Sequence, residues 1–166
     1  MKKFIIGLLV KNRFGVLTRI SGMFARRGFN IDSLVVGETE NPEFSRMTIT
    51  MTGDDYARDQ IIKQLSKLHD VREIDEMKSD EIVSRELLLI KVKADNETRH
   101  EIMDAVNVFR NKIIDYSPSV LCIEMTGETA KLDAFIELIK PYGIVELCRT
   151  GKVSLHRGAT VLKVNG

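Results

Sequence analysis

Asn12 and Gly15, set in Asn12-Arg13-Phe14-Gly15-Val16-Leu17, are the residues whose types and spacing most suggest chemistry of their own. They fall between an almost unbroken apolar run over residues 4–10 and an amphipathic stretch over 15–27, where the chain must leave a strand and enter a helix. Glycine and asparagine suit such a corner, because one tolerates unusual dihedrals and close backbone approach and the other hydrogen-bonds locally. The first-turn N–H groups of a helix are unpaired and sit at the positive end of its dipole, so this junction favours a bound carboxylate. On spacing alone, N-x-x-G-x-L reads equally well as an ordinary strand-to-helix turn.

Catalytic chemistry finds little footing elsewhere. His69, His100 and His156 are scattered, none pairs with a cysteine or an acid at ligand spacing, and they read as surface histidines. The acids at Asp54-Asp55, Asp75-Glu76 and Asp80-Glu81 stand at helix starts or in a linker, where solvation and the helix dipole account for them, so no metal site is expected. Cys122 and Cys148 lie in apolar, strand-like contexts without CxxC spacing and read as reduced thiols in a cytoplasmic core. Neither a catalytic residue nor a metal ligand is assigned.

The elements that position the junction follow from periodicity. After the strand at 4–10, Leu17, Ile20 and Phe24 stripe a helix ended by Gly28; residues 30–38 and 46–52 read as strands around Asn41-Pro42. Asp54 and Asp55 open a second helix with Ala57, Ile61, Leu65 and Leu68 on its buried face, and residues 71–77 close a βαββαβ unit over 1–77. Residues 78–84 are charged, lack apolar periodicity and read as a linker. A second unit over 85–166 repeats the order: a strand at 87–92, a helix capped by Asn96 and striped by Ile102, Val106 and Phe109, strands at 113–116 and 120–125, a helix with Leu132, Phe135, Ile136 and Ile139, and a strand at 144–148. Residues 154–164 alternate as one or two further strands around Arg157-Gly158. Ile49-Thr50-Met51-Thr52-Gly53 matches Ile123-Glu124-Met125-Thr126-Gly127, which with the repeated order points to duplication; the second copy lacks the extension near residues 38–45. The expected fold class is therefore α+β, two ferredoxin-like βαββαβ domains.

Composition narrows the function classes. The 166 residues are 43% apolar, enough for packed cores, and 25 basic against 24 acidic side chains leave a net charge of +1, without the positive field of a non-specific nucleic-acid binder. No apolar run approaches the ~20 residues of a membrane span, and the N-terminus lacks the pattern of a signal peptide. An RNA-recognition module shares the βαββαβ order but stacks bases on aromatics of its central strands, where this chain offers only Phe4. Neither nucleic acid nor membrane is an expected partner.

From Leu9-Val10 through Asn12-Arg13-Phe14-Gly15-Val16-Leu17-Thr18-Arg19, then Arg27-Gly28-Phe29-Asn30-Ile31-Asp32-Ser33-Leu34 and Ser45-Arg46-Met47-Thr48, the chain closely resembles the small regulatory subunits of acetolactate (acetohydroxyacid) synthase. The likeness continues through Ile113-Ile114-Asp115, Gly127, Lys131-Leu132-Asp133-Ala134-Phe135 and Arg149-Thr150-Gly151. It implies an N-terminal ACT domain that binds an effector and a C-terminal ferredoxin-like regulatory domain. It further implies a homodimer that takes a branched-chain amino acid, commonly valine, between its ACT domains. Asn12, Gly15, Val16 and Leu17 of one protomer would meet the effector with Asn30 and Ile31 of the other. Phe29 stands where members of the family often carry tyrosine.

The resemblance implies a cytoplasmic subunit, not an enzyme on its own, that activates a large catalytic subunit in valine, leucine and isoleucine biosynthesis and confers feedback inhibition on it. Thiamine diphosphate, magnesium and FAD would belong to that partner, with no cofactor in this chain. A free-standing amino-acid-binding ACT sensor without an enzyme partner is the alternative; a helix-turn-helix segment would favour it, and none is visible.

Overall fold

The first strand, β1 (Lys2–Lys11), is buried on both faces. Phe4, Ile6, Leu8 and Val10 point into a core shared with two helices, while Ile5 and Leu9 alternate onto the opposite face. That explains an apolar run with no polar alternation, the pattern of a strand covered above and below. A computed structural model describes residues 1–162.

Around β1 the chain forms α1 (Val16–Arg26), β2 (Ser33–Glu38), β3 (Phe44–Gly53), α2 (Asp55–Leu65) and β4 (Val71–Glu76). The four strands make one antiparallel sheet in the order β2-β3-β1-β4, the ferredoxin-like arrangement the sequence leads one to expect. Val16, Ile20 and Phe24, spaced four apart, are the buried stripe of α1. Burying each of them contributes ~1.5–3 kcal/mol before the cost of ordering the chain. The helix ends in a Schellman arrangement: Gly28, at φ 70°, donates its N–H to Ala25 O at 3.1 Å, and Phe29 N–H reaches Phe24 O at 3.0 Å. Asp54 caps α2, its Oδ1 accepting from Ala57 N–H at 2.7 Å.

The second unit contains β5 (Ile82–Lys93), α3 (Arg99–Val108), β6 (Lys112–Tyr116), β7 (Val120–Gly127), α4 (Thr129–Ile139), a 3-10 turn (Lys140–Tyr142) and β8 (Ile144–Arg149), with sheet order β6-β7-β5-β8. Its core gathers Leu88, Ile90, Val92, Ile102, Val106, Leu121, Ile123, Phe135 and Ile139. The repeat extends to an irregularity: β1 shifts register against β4 between Leu9 and Val10, and β5 shifts against β8 between Lys91 and Val92.

Several boundaries differ from those read in the sequence. The strand expected from residue 30 begins at Ser33, because Gly28 turns the chain and Asp32 must first reach β3, its N–H on Thr50 O at 2.9 Å and its carboxylate accepting from Thr52 Oγ1. Asn96 does not cap α3; Asp95 Oδ1 accepts from Glu97 N–H and Thr98 N–H instead. Cys122 is half-buried and Cys148 exposed, so neither is a core thiol, although both are free.

The chain divides into two compact units, Met1–Ser84 with the stretch from Gly151, and Arg85–Thr150. That division falls inside β5, so the last residues of the expected linker 78–84 are strand, and the stretch after Thr150, expected with the second unit, packs with the first. There β9 (Val153–His156) pairs with β5, and Arg157 N–H donates to Glu81 O at 2.8 Å. Residues 160–162 follow without regular structure, and the end of the strand expected over 154–164 lies outside the described residues. Ser154 O accepts from Arg46 Nη2 at 3.0 Å, and Gly151 passes so close to β2 that a Cβ there would stand 2.8 Å from Ser33 Cβ. His156 is not a surface histidine: its side chain is 6% exposed, with Nε2 at 3.2 Å from Asp75 Oδ2.

Candidate functional site at the head of the first helix

The loop between β1 and α1 is held from three sides. Asn12 donates its backbone N–H to Glu43 O at 2.8 Å and its Nδ2 to Pro42 O at 3.0 Å, which ties the loop to the β2–β3 hairpin and leaves Oδ1 as the acceptor. Lys11 N–H donates to Asp70 O at 2.8 Å. Asp70 is buried just before β4, and its carboxylate accepts from Arg13 of the loop on one oxygen and from Arg19 of the helix on the other. Burial opposes ionisation of Asp70, yet the hydrogen bonds and charges of the two arginines outweigh it and hold its carboxyl below the usual carboxylate range.

Gly15 is the residue before the first helical turn, at φ 83°, the left-handed region that side chains other than glycine's resist. A Cβ at this position would stand 3.2 Å from Arg19 Nη1, so the glycine also leaves room for the guanidinium that Asp70 anchors. No side chain caps α1. Val16 N–H makes a long contact of 3.4 Å to Arg13 O, and the N–H groups of Leu17 and Thr18 have no backbone partner outside the helix among the described residues. Those amides, with the dipole behind them and half-exposed Arg13 and Arg19 beside them, form a site of positive potential suited to a carboxylate. Lys11, Asn12, Arg13, Glu43, Phe44 and Arg72 line a concavity at this end of the strand.

The same corner in the second unit is closed. Where β5 runs into α3, the carboxylate of Asp95 already takes the N–H groups of Glu97 and Thr98 and the Thr98 hydroxyl, at 2.8–2.9 Å. An anion arriving there would meet an occupied turn and a negative charge.

Of the residues singled out in the sequence, Asn12, Gly15, Val16 and Leu17 gather at this corner, Val16 in the core and Leu17 partly exposed. Asn30 and Ile31 do not join them within one chain. They precede β2, whose Ser33 lies opposite Thr50, itself opposite Ile5. That is six residues back along β1 from Lys11, ~20 Å at the rise of a strand. Asn30 is exposed with Nδ2 on Asp32 Oδ1 at 3.1 Å, whereas Ile31 is half-buried against the core. Sequence reasoning did not find Asp70 or the pairing that makes Arg13 and Arg19 part of the site. An isolated acid in a turn 57 residues away from Arg13 carries no local signal. Among the described residues no cluster of His, Cys, Asp and Glu could hold a metal ion, and no helix is long and apolar enough to cross a membrane.

Comparison with known proteins gives one consistent result. Residues 6–73 match the family model of the AHAS small subunit-like ACT domain, and residues 85–158 match that of the small subunit of acetolactate synthase. The chain is 50% identical over 156 residues to a probable acetolactate synthase small subunit of Archaeoglobus fulgidus, covering 94% of this chain and 98% of that one. It is 50% identical over 153 residues to the acetolactate synthase small subunit of Mycolicibacterium smegmatis, covering 92% and 90%. A crystal structure of the acetolactate synthase small subunit from Thermotoga maritima superposes with a TM-score of 0.88 at 41% identity, over 96% of this chain and all of that one.

Proposed function

Since the chain belongs to the family of acetolactate synthase small subunits, we propose that it activates a separate catalytic subunit of that synthase and makes it sensitive to valine or a related branched-chain amino acid. The observation that carries the effector site is the uncapped head of α1 after Gly15, with Arg13 and Arg19 fixed beside it by one buried carboxylate. The effector's carboxylate takes the amides after Gly15, that of Val16 among them, the free Oδ1 groups of Asn12 and Asn30 accept from its ammonium, and Leu17 and Ile31 border its side chain. Because Asn30 and Ile31 lie ~20 Å along the sheet from the loop of their own chain, the complete site needs two protomers. Thiamine diphosphate, magnesium and FAD sit in the catalytic subunit on this reading, and this chain supplies binding and coupling.

Reconstitution tests it. The purified chain alone should make no acetolactate from pyruvate whatever cofactors are added, and should raise the turnover of the catalytic subunit when the two are mixed. Rising valine should then lower the activity of the mixture. Failure to raise turnover of the catalytic subunit from the same organism would overturn the reading in favour of a free-standing amino-acid sensor.

A further inference from the structure

A second concavity in the first unit plays no part in that function. It encloses about 380 Å³ between the outer face of the first sheet, contributed by Leu9, Phe44 and Arg46, and β9 with the stretch that follows it, contributed by Leu155, Val161 and Leu162. At the ~30 Å³ that a water takes in the liquid, this is room for roughly a dozen heavy atoms.

Thr39, Asn41 and Thr160 are uncharged polar residues on the walls, and the guanidinium among the lining residues is that of Arg46. Arg46 is half-buried on the face of β3 next to Leu9, its partner in register. Its Nη2 donates to Ser154 O and lies 3.7 Å from Met77 Sδ, its Nε is buried with no hydrogen-bond partner, and no carboxylate among the described residues pairs with it. Burial pushes its pKa down. A guanidinium with donors to spare, taken out of water unpaired, is a standing cost that a bound anion would relieve. The other titratable groups on the walls are committed or placed at the edge. His156 faces Asp75, and Glu40 is exposed at the rim and already engaged elsewhere. The rim carboxylate opposes a second negative charge on a ligand, and among the described residues no free acid in the cavity is available for an ammonium.

We propose that this cavity binds a small aliphatic monocarboxylate lacking an ammonium group, its carboxylate on Arg46 and its hydrocarbon against Leu9, Phe44 and Leu155. The site is distinct from the effector loop and does not depend on it, although Phe44 borders both concavities.

The probe is 4-methylpentanoate, followed by calorimetry and saturation-transfer NMR on the full chain, with the neutral isostere 4-methylpentanamide beside it. The acid should bind saturably, with the amide weaker by roughly tenfold or more, the usual worth of a charge-assisted hydrogen bond. Binding should persist in the presence of saturating valine and in Gly15→Asp. Arg46→Gln should lose the preference for acid over amide, and Arg46→Lys should keep part of it. Absence of saturable binding at millimolar acid would overturn the proposal. So would equal binding of acid and amide, which needs no variant to fold. Loss of binding on adding valine would place the acid in the effector loop and overturn it equally.

Discussion

Gly15 frees the amides of the first helical turn and makes space for Arg19, and both roles fail together when a side chain is added. In Gly15→Asp the new carboxylate would stand where the effector's own is expected, on a backbone at φ 83° that strains any residue with a Cβ, and within reach of the guanidinium that Asp70 holds. Feedback inhibition should disappear while activation of the catalytic subunit survives. Effector coupling is typically worth ~1–3 kcal/mol, and a loss of that size removes inhibition at ordinary concentrations. Activity of the reconstituted synthase against valine, with calorimetry of valine on the variant, decides; unchanged inhibition would move the effector site elsewhere. Asp70→Asn tests the anchor. The folded-state pKa of Asp70 lies below its ordinary 3.8, so the stabilisation it provides is fully present above that value and is lost as pH falls through the lowered one. Urea unfolding at pH 7 should show the variant with the lower midpoint, and the two curves should converge in strong acid. A gap that persists there would mean that Asp70 acts through packing and not through its charge.

At the scale of elements, patterns that depend on near neighbours were legible. The unbroken run before Lys11, Ile20 and Phe24 on the buried stripe of α1, the helix start at Asp54 and the stop at Gly28 stand as the sequence implies, because strand alternation, helix period and capping are set within a few residues. Leu17, read on that stripe, is exposed and Val16 is buried in its stead, because the exact phase of a stripe is set by what it packs on. What was not legible depends on distant partners. Nothing near Asp95 distinguishes it from Asn96 as the residue that turns the chain into α3, since either side chain can accept from the amides two and three residues on. Likewise Asn30 reads as strand until its neighbour Asp32 is seen reaching Thr50 and Thr52. Within the legible part, Asp54→Ala should cost ~1 kcal/mol by removing the hydrogen bond to Ala57 N–H, read as a lower urea midpoint with an unchanged slope. The edge position of β2 makes a further claim. An unpaired strand edge is a template for its two-fold mate, so sedimentation at micromolar concentration should give a dimer. A monomer, with and without valine, would remove the second half of the proposed effector site.

Across the whole molecule, the feature least visible in the sequence is that the first unit is discontinuous. Its outer sheet face is covered by residues that follow the second unit: a Cβ on Gly7 would stand 3.3 Å from Leu162 Cδ2, and Arg46 holds Ser154 O. Ending the chain after Thr150 should therefore leave Leu9 and the outer sheet face beside it open to water, lower the unfolding midpoint and raise binding of a dye for exposed apolar surface, while the core of Leu88, Ile90 and Ile123 persists. An unchanged midpoint would mean that the covering contributes nothing. The same threading sets an order of events at the ribosome. The residues up to Ser84 emerge first, but Arg85–Thr150 must be made before the cover arrives, a wait of ~3–13 s at usual elongation rates. During that interval the oldest part of the chain is the unfinished part, its sheet open on one face. A chain broken off before Gly151 would stay in that condition permanently, so premature termination leaves exposed apolar surface on the product, the feature by which chaperones and proteases sort incomplete proteins.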